Sequence, residues 1–129
     1  MSAPEFNNPV GVAPPVGAYS HAGWIKAGSD VLFIAGQVGV RPDGILPETF
    51  HEQADEAFAN IARILAGSGL KPMHLVKMNI FVVYGHPVNV VRDARRKHFG
   101  DIRPASTFIY VPQLVEPKYF IEVEGVAAR

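Results

Sequence analysis

Cysteine is absent from the 129-residue sequence, and this absence excludes three kinds of chemistry. A disulfide framework, a thiolate nucleophile and a metal centre with cysteine ligands all require thiols. An excess of either charge is also absent, because 12 lysine and arginine residues balance 12 aspartate and glutamate residues. A neutral chain has no overall field to hold nucleic acid or an anionic membrane surface. We therefore expect neither nucleic acid nor a membrane as a partner.

Long apolar runs are missing too, so the sequence offers no candidate for a membrane-spanning segment or a signal peptide. Residues 1–17 instead contain four prolines, which favour an extended arm over a helix. The length fits one domain of ordinary size. We expect a cytoplasmic protein with a single domain over residues 1–129, in which residues 1–17 form the arm.

Hydrophobic periodicity predicts the order strand, strand, helix, strand, helix, strand, strand. Two apolar runs on either side of residues 28–30 predict a hairpin. Thr49 and Glu52 form a capping-box pattern that begins the first helix. Pro87 suits the start of a second helix, which should run to about Phe99. The basic residues that end this helix are interpreted as a solvated last turn that complements the helix dipole; they are Arg95, Arg96, Lys97 and His98.

This order of elements predicts an α+β fold, with two helices on one face of a mixed sheet. The runs "VLFIAG" and "NIFVVY" are apolar on both sides of the pleat, so the second face of the sheet also needs cover. A symmetric oligomer would provide that cover and would place crevices between subunits.

The stretch "YFIEVEG" contains the best candidate for an acid–base group. Strand alternation puts Glu122 and Glu124 on one face, where both could simply be solvated. On a covered face, however, a carboxylate is partly desolvated and suited to proton transfer, and Glu122 is the better of the two. Tyr19 and Gly36 fit either a pocket or a turn. The five histidines are scattered without metal-ligand spacing, and nucleotide-binding motifs are missing, so neither a metal nor a cofactor is expected.

Six segments, taken in order, resemble the RidA (YjgF-type) family of reactive intermediate deaminases. The segments are "NNPVGVAPPVGAYSHAG", "VLFIAGQVGVRPDG", "FHEQADEAFANIARILAGSG", "LVKMNIFV", "RPAST" and "FIEVEGVA". The resemblance implies a chorismate-mutase-like fold and a homotrimer whose sheets form a barrel, with small-molecule pockets at the subunit interfaces. It also implies cofactor-free hydrolysis of enamines or imines to a carbonyl compound and ammonia. Tyr19, Gly36 and Glu122 match the family's pocket tyrosine, its loop glycine and the carboxylate that orients water.

The resemblance fails at one position in "RPAST". Active relatives carry an arginine there that binds the substrate carboxylate, whereas this chain has Ser106, followed by Thr107. A serine hydroxyl cannot replace the bidentate guanidinium. Arg92, on the second helix, and Arg103 are the two cations near enough in sequence to bind an anionic ligand instead, although a surface charge or a salt bridge is the more ordinary role of each. Because Arg103 precedes a proline, its side chain could also point away from the site.

Three functions remain open at this level. The first is an enamine or imine hydrolase of altered specificity, in which Glu122 guides water, Tyr19 shapes the pocket, and Ser106 and Thr107 contact the substrate. The second is a non-catalytic trimer of the same family that binds or senses a small molecule. The third, a ribonuclease, ranks last because the charge balance does not support it.

Overall fold

The protein, described by a computed structural model over residues 3–129, has six strands and two main helices in that range. In chain order these are β1 (Glu5–Asn7), β2 (Ala22–Trp24), β3 (Val31–Val38), α1 (Phe50–Gly67), β4 (Leu75–Val83), α2 (Val88–Phe99), β5 (Ala105–Val111) and β6 (Ile121–Ala128). Seven of these follow the predicted order, and β1 is an additional strand within the arm. Residues 1–2 of the predicted arm lie outside the described residues.

The main sheet has four strands in the order β3-β6-β4-β5. Strand β5 is parallel to β4, and β6 is antiparallel to both of its neighbours. One apolar core joins the sheet to both helices, with Phe58 of α1, Val91 of α2 and Val123 of β6 all nearly inaccessible to solvent. The predicted α+β class, with two helices on a mixed sheet, is confirmed. Neither described helix is both long enough and apolar enough to cross a membrane.

The predicted hairpin between the first two apolar runs is wrong. Strand β2 is only three residues long and pairs with β1, not with β3. Strand β3 pairs with β6, and two backbone hydrogen bonds between Asp30 and Arg129 fix the end of that ladder. The two runs on either side of residues 28–30 are close in sequence, but the C-terminal strand β6 is a longer apolar partner for β3 than β2 is.

Helix α1 begins as its sequence predicts. The Thr49 hydroxyl accepts a hydrogen bond from the Glu52 amide at 3.2 Å and donates one to the Glu52 carboxylate at 3.0 Å. One turn later, Gln53 is 1 % exposed, although it is polar. Its amide nitrogen donates to the carbonyls of Pro47 and Lys118, both at 3.0 Å, and its amide oxygen accepts from the Phe120 N–H at 2.9 Å. Gln53 therefore ties two loops to the helix.

The face of the sheet opposite the helices is partly apolar and open in the single chain. Phe33 is 79 % exposed and Ile109 is 45 % exposed on this face. Polar side chains share the same face: Lys77 Nζ donates to the Thr107 hydroxyl at 3.0 Å, and Asn79 donates to the Glu124 carboxylate at 3.1 Å. Apolar side chains at such high exposure mark a surface suited to a partner.

Candidate functional site

A cavity of about 590 Å³ lies between α2, strand β5 and the segment 16–19. Its volume falls in the range typical of small-molecule pockets. The side chains and backbone that line it come from Val16, Gly17, Ala18, Tyr19, Ile80, Val88, Arg92, Arg95, Arg96, Gly100, Asp101, Arg103, Ser106, Thr107 and Phe108. Four of the predicted site residues, namely Tyr19, Arg92, Ser106 and Thr107, are therefore gathered around one space.

The segment that carries Tyr19 is held in place by backbone and side-chain hydrogen bonds. The Ser20 hydroxyl donates to the Arg103 carbonyl at 2.6 Å, and the Ser20 N–H donates to the Pro104 carbonyl at 3.2 Å. From α2, Arg95 Nη1 donates to the Ala18 carbonyl at 2.6 Å. These contacts to the residues on either side of Tyr19 hold the segment against the cavity, which Tyr19 lines.

Strand alternation separates the two hydroxyl residues of β5. Ser106 pairs with the buried Met78, so its side chain lies on the side of the sheet that faces the helices and the cavity. Thr107 pairs with Asn79, and its hydroxyl accepts the hydrogen bond from Lys77 on the opposite face. Thr107 borders the cavity, but its hydroxyl already has a partner.

Four arginines line the cavity: Arg92, Arg95, Arg96 and Arg103. Arg92, Arg95 and Arg96 lie on one side of α2 because they are three and four residues apart. Gly100 ends the helix with a φ of 69°, a conformation that favours glycine, and turns the chain towards Arg103. Arg103 borders the cavity, although the proline after it suggested that its side chain could point away.

The arginines are close enough to affect one another. Burial lowers the pKa of the Arg95 guanidinium, and the positive charges of Arg103, Arg96 and Arg92 lower it further. The group nevertheless stays protonated at neutral pH, as arginine does in proteins. The cavity therefore concentrates positive charge in a chain whose formal net charge is zero.

The interpretation of the basic helix end as a solvated last turn is wrong for Arg95, which is half-buried and donates to the Ala18 carbonyl. Arg96 is exposed, as that interpretation expects, although it borders the cavity. Only Lys97 and His98 turn away, and both contact the Asp55 carboxylate of α1, at 2.8 Å and 2.9 Å. Helical spacing could have distinguished the arginines near the cavity from Lys97 and His98, because the apolar residues that pack on α1 already define the orientation of α2.

Glu122 and Gly36 lie apart from this cavity, against each other. Strand β3 has a bulge here: two residues, Ala35 and Gly36, oppose the single Glu124 of β6. A Cβ atom at position 36 would overlap the Glu122 carboxylate. Among the described residues no hydrogen bond or ion pair involves that carboxylate, and its strand neighbours Ile121 and Val123 point into the core. Glu122 therefore lies on the face of the sheet opposite the helices.

No group of three histidine, aspartate or glutamate side chains within residues 3–129 is arranged to hold a metal ion. The site thus consists of two parts in the single chain. One part is a cation-rich cavity on the helix side, and the other is a carboxylate over a glycine on the open face. The first part can bind an anion, and the second can position a water molecule and accept a proton.

Comparison with known proteins places these features in a family. The family model described as Endoribonuclease L-PSP matches residues 10–129. A RutC family protein from Aquifex aeolicus is 33% identical over 118 residues, which cover 89% of this chain and 91% of that protein. A protein from Dermatophagoides farinae named 2-iminobutanoate/2-iminopropanoate deaminase is 30% identical over 115 residues, covering 87% of this chain and 86% of that protein.

Two solved structures share the fold over nearly the whole chain. The Rid-family protein YyfB from Yersinia pestis superposes with a TM-score of 0.83 at 28% identity, covering 99% of this chain and 100% of that chain. RidA from Psychrobacter sp. PAMC 21119 superposes with a TM-score of 0.72 at 27% identity, covering 90% of this chain and 92% of that chain.

Proposed function

Because the chain belongs to the Endoribonuclease L-PSP family, the family of RidA and YjgF, we propose that it hydrolyses reactive enamines or imines to a carbonyl compound and ammonia. The observation that carries the proposal is the cavity that gathers Tyr19, Ser106 and Thr107 beside a cluster of cations. The deaminase name of the Dermatophagoides farinae relative supports this reaction class. The reaction requires no cofactor, because the carbon of an iminium ion is already electrophilic.

The chemical step is an addition followed by an elimination. The Glu122 carboxylate takes a proton from water while the water oxygen forms a bond to the iminium carbon. The C=N electron pair moves onto nitrogen in this step, and the proton then passes from Glu122 to the amine. The C–N bond breaks with its electron pair leaving on ammonia, and the C=O bond forms as the hydroxyl proton passes to the Glu122 carboxylate, which releases it to the departing ammonia or to solvent. Water needs orientation and modest base assistance here, both of which one carboxylate can give. Tyr19 shapes the pocket, and the Ser106 hydroxyl contacts the substrate from the cavity side of β5. Thr107 contributes only its border of the cavity, because its hydroxyl is bonded to Lys77 on the opposite face.

The working form in this proposal is a homotrimer whose subunits complete one another's sites. Within one chain, Glu122 lies on the open face of the sheet and the cavity lies on the helix side. The exposed Phe33 and Ile109 on the open face support burial against another copy. A neighbouring subunit can therefore bring its Glu122 and Gly36 to the edge of the cavity, where Tyr19 and Ser106 lie.

Specificity in this proposal differs from that of relatives that bind the substrate carboxylate through an arginine on β5. Ser106 offers one neutral hydroxyl at that position, and the loss of a charge-assisted pair lowers affinity by about 10-fold or more. Small 2-imino monocarboxylates are consequently poor substrates, and larger imines with their anionic group elsewhere are better ones. The same Ser106 favours the alternative proposal, a trimer that binds a small molecule without catalysis.

A hydrolysis assay distinguishes the two proposals. Imines are generated in the cuvette by an amino-acid oxidase from a panel of amino acids, including alanine, leucine, phenylalanine and glutamate, and ammonia and the keto acid are followed over time. We expect the protein to accelerate hydrolysis of the imine from glutamate, whose second carboxylate lies away from the imine carbon, and to act weakly on the imine from alanine. Heat-denatured protein at the same concentration is the control. No acceleration across the whole panel would favour the binding protein over the hydrolase.

Replacing Gly36 by Ala should test the position of Glu122 without removing its charge. The new methyl group would displace the carboxylate, which is the flexible end of a side chain, so we expect little loss of stability. A shift of about 1 Å in a catalytic group can lower turnover by about 10- to 100-fold. The measurements are kcat for the best imine and the thermal midpoint.

The matched control for this change is Gly67→Ala. A Cβ atom at position 67 would contact nothing within 4 Å, so this variant should keep normal turnover. Equal rates for the two variants would show that the carboxylate over Gly36 does not take part in the reaction.

A further inference from the structure

We propose that the cavity binds a small molecule with a dianionic group, such as a phosphate ester or a dicarboxylate, through the guanidinium groups of Arg92, Arg96 and Arg103. This inference rests on the proposed function because it names the substrate class of the same site. It does not depend on turnover, since binding can be measured without hydrolysis.

The first observation, for the described residues, is that arginines outside the cavity are paired with carboxylates, whereas those around it are not. Each described arginine outside the cavity has a carboxylate partner: Arg41 binds Glu52 at 2.8 Å, Arg63 binds Glu56 at 2.9 Å, and Arg129 binds Asp30 at 3.4 Å.

In contrast, none of the four arginines around the cavity forms an ion pair within the described residues. Asp101 is the only carboxylate in the lining, and it lies beyond ion-pair distance of all four. Like charges brought together without a counter-ion repel one another, and a bound anion would remove that repulsion.

The second observation is that the four arginines differ in their contacts. Arg95 is half-buried and donates to the Ala18 carbonyl, so it acts as a positioning residue for the segment before Tyr19. Arg92, Arg96 and Arg103 are exposed at the cavity wall and form no side-chain hydrogen bond within the described residues. Their planar donor groups are therefore available to a ligand, and each can bind a carboxylate or phosphate with two parallel hydrogen bonds.

The number of donors favours a dianion over a single carboxylate. One carboxylate has about four acceptor positions, and two guanidinium groups already fill them. Three guanidinium groups are matched by a phosphate or by two carboxylates. The cavity of about 590 Å³ also exceeds the needs of a two- or three-carbon acid. Because β5 offers only the neutral Ser106 hydroxyl, we place the anionic group of the ligand beside α2 and not beside β5.

A binding series tests the charge of the ligand. The probes are glycerol 3-phosphate, glutarate, butanoate and glycerol, titrated calorimetrically into the full chain at low salt. We expect the two dianions to bind at least about 10-fold more tightly than butanoate, and glycerol not to bind detectably. Equal affinity for butanoate and the dianions would overturn the proposal.

Variants then test the site of binding. Arg92→Ala combined with Arg103→Ala should weaken glutarate binding by about 10-fold or more. Arg92→Lys combined with Arg103→Lys keeps both charges but loses the two-pronged geometry, and it should give an intermediate affinity. Lys97→Ala combined with Lys118→Ala removes the same total charge away from the cavity lining and should change affinity little. If this lysine variant weakens binding as much as the arginine variant, only the overall field attracts the anion and the proposal fails.

Two further measurements separate this inference from its alternatives: the binding of a polyanion, and the hydrolysis of imines. A short uridine oligonucleotide that binds more tightly than glutarate, and loses affinity in the arginine variants, would overturn the small-molecule ligand in favour of RNA. If no imine is hydrolysed but dianions bind through these arginines, this inference stands and the hydrolase proposal fails. If imines are hydrolysed but dianions do not bind, the reverse holds.

Discussion

Replacement of Glu122 by Gln is expected to lower imine hydrolysis by about 100-fold or more, the contribution typical of a general base. The amide keeps the size of the side chain and its place over Gly36, but it cannot accept a proton from water. The readout is kcat for the best imine of the panel. The KM should change much less, because Glu122 acts on water and not on the anionic group of the substrate.

Glu124→Gln is the matched control. Glu124 lies on the same strand and the same face, but its carboxylate accepts a hydrogen bond from Asn79 at 3.1 Å and does not lie over a glycine. This variant should keep nearly normal turnover. A Glu122→Gln protein that is as active as Glu124→Gln would contradict the assignment of the carboxylate.

Mixing subunits that each lack one part of the site, with the imine from glutamate kept below its KM, tests whether the site is shared between copies. Glu122→Gln chains and Arg92→Ala/Arg103→Ala chains are unfolded together and refolded as mixed oligomers. If the carboxylate and the arginines of one site come from different subunits, about a quarter of the sites in an equal mixture contain both intact parts. Activity should then recover to about that fraction, as expected from random assembly. No recovery would place both parts of the site in a single subunit.

Replacement of Gln53 by Leu is expected to lower the free energy of unfolding by about 3 kcal/mol or more. Leucine has a similar size, but it leaves the Pro47 and Lys118 carbonyls and the Phe120 N–H without their partner. A buried polar group without a partner costs about 1–3 kcal/mol. Urea denaturation followed by circular dichroism, at a fixed protein concentration, measures the difference.

Gln37→Leu provides the comparison for Gln53→Leu. The half-buried Gln37 side chain forms one hydrogen bond, to the nearby Ala35 carbonyl at 3.2 Å, and that hydrogen bond is open to solvent. Its replacement should change stability by only a few tenths of a kcal/mol. Similar losses in the two variants would mean that Gln53 contributes through its volume and not through its three hydrogen bonds.

Local patterns predicted most of the fold. The capping box at Thr49, the helical periodicity of α1 and the glycine after α2 each depend on residues a few positions apart. Such interactions are the same wherever the segment lies in the structure. The pairing of β3 failed for the opposite reason, because its partner β6 is more than eighty residues away along the chain.

The buried role of Gln53 was also missed. It lies one residue before the apolar position Ala54 on α1, and nothing in the sequence marks the distant carbonyls at Pro47 and Lys118 as its partners. A glutamine on a helix is usually solvated. Only the folded chain, which brings two loops against the same turn of α1, makes this side chain part of the core.

By itself the sequence determined the α+β class and the family resemblance. These follow from periodicity and from residue identity, which need no coordinates. The tertiary structure determined which arginines lie around the same cavity. Arg92, Arg95 and Arg96 share one side of α2, and the turn at Gly100 brings Arg103 to the same cavity. The tertiary structure also placed this cavity on the face of the sheet opposite Glu122. The spacing along α2 could group the three helical arginines, but the approach of Arg103 and β5 to the same space depends on the packing of the whole core, which no local pattern shows.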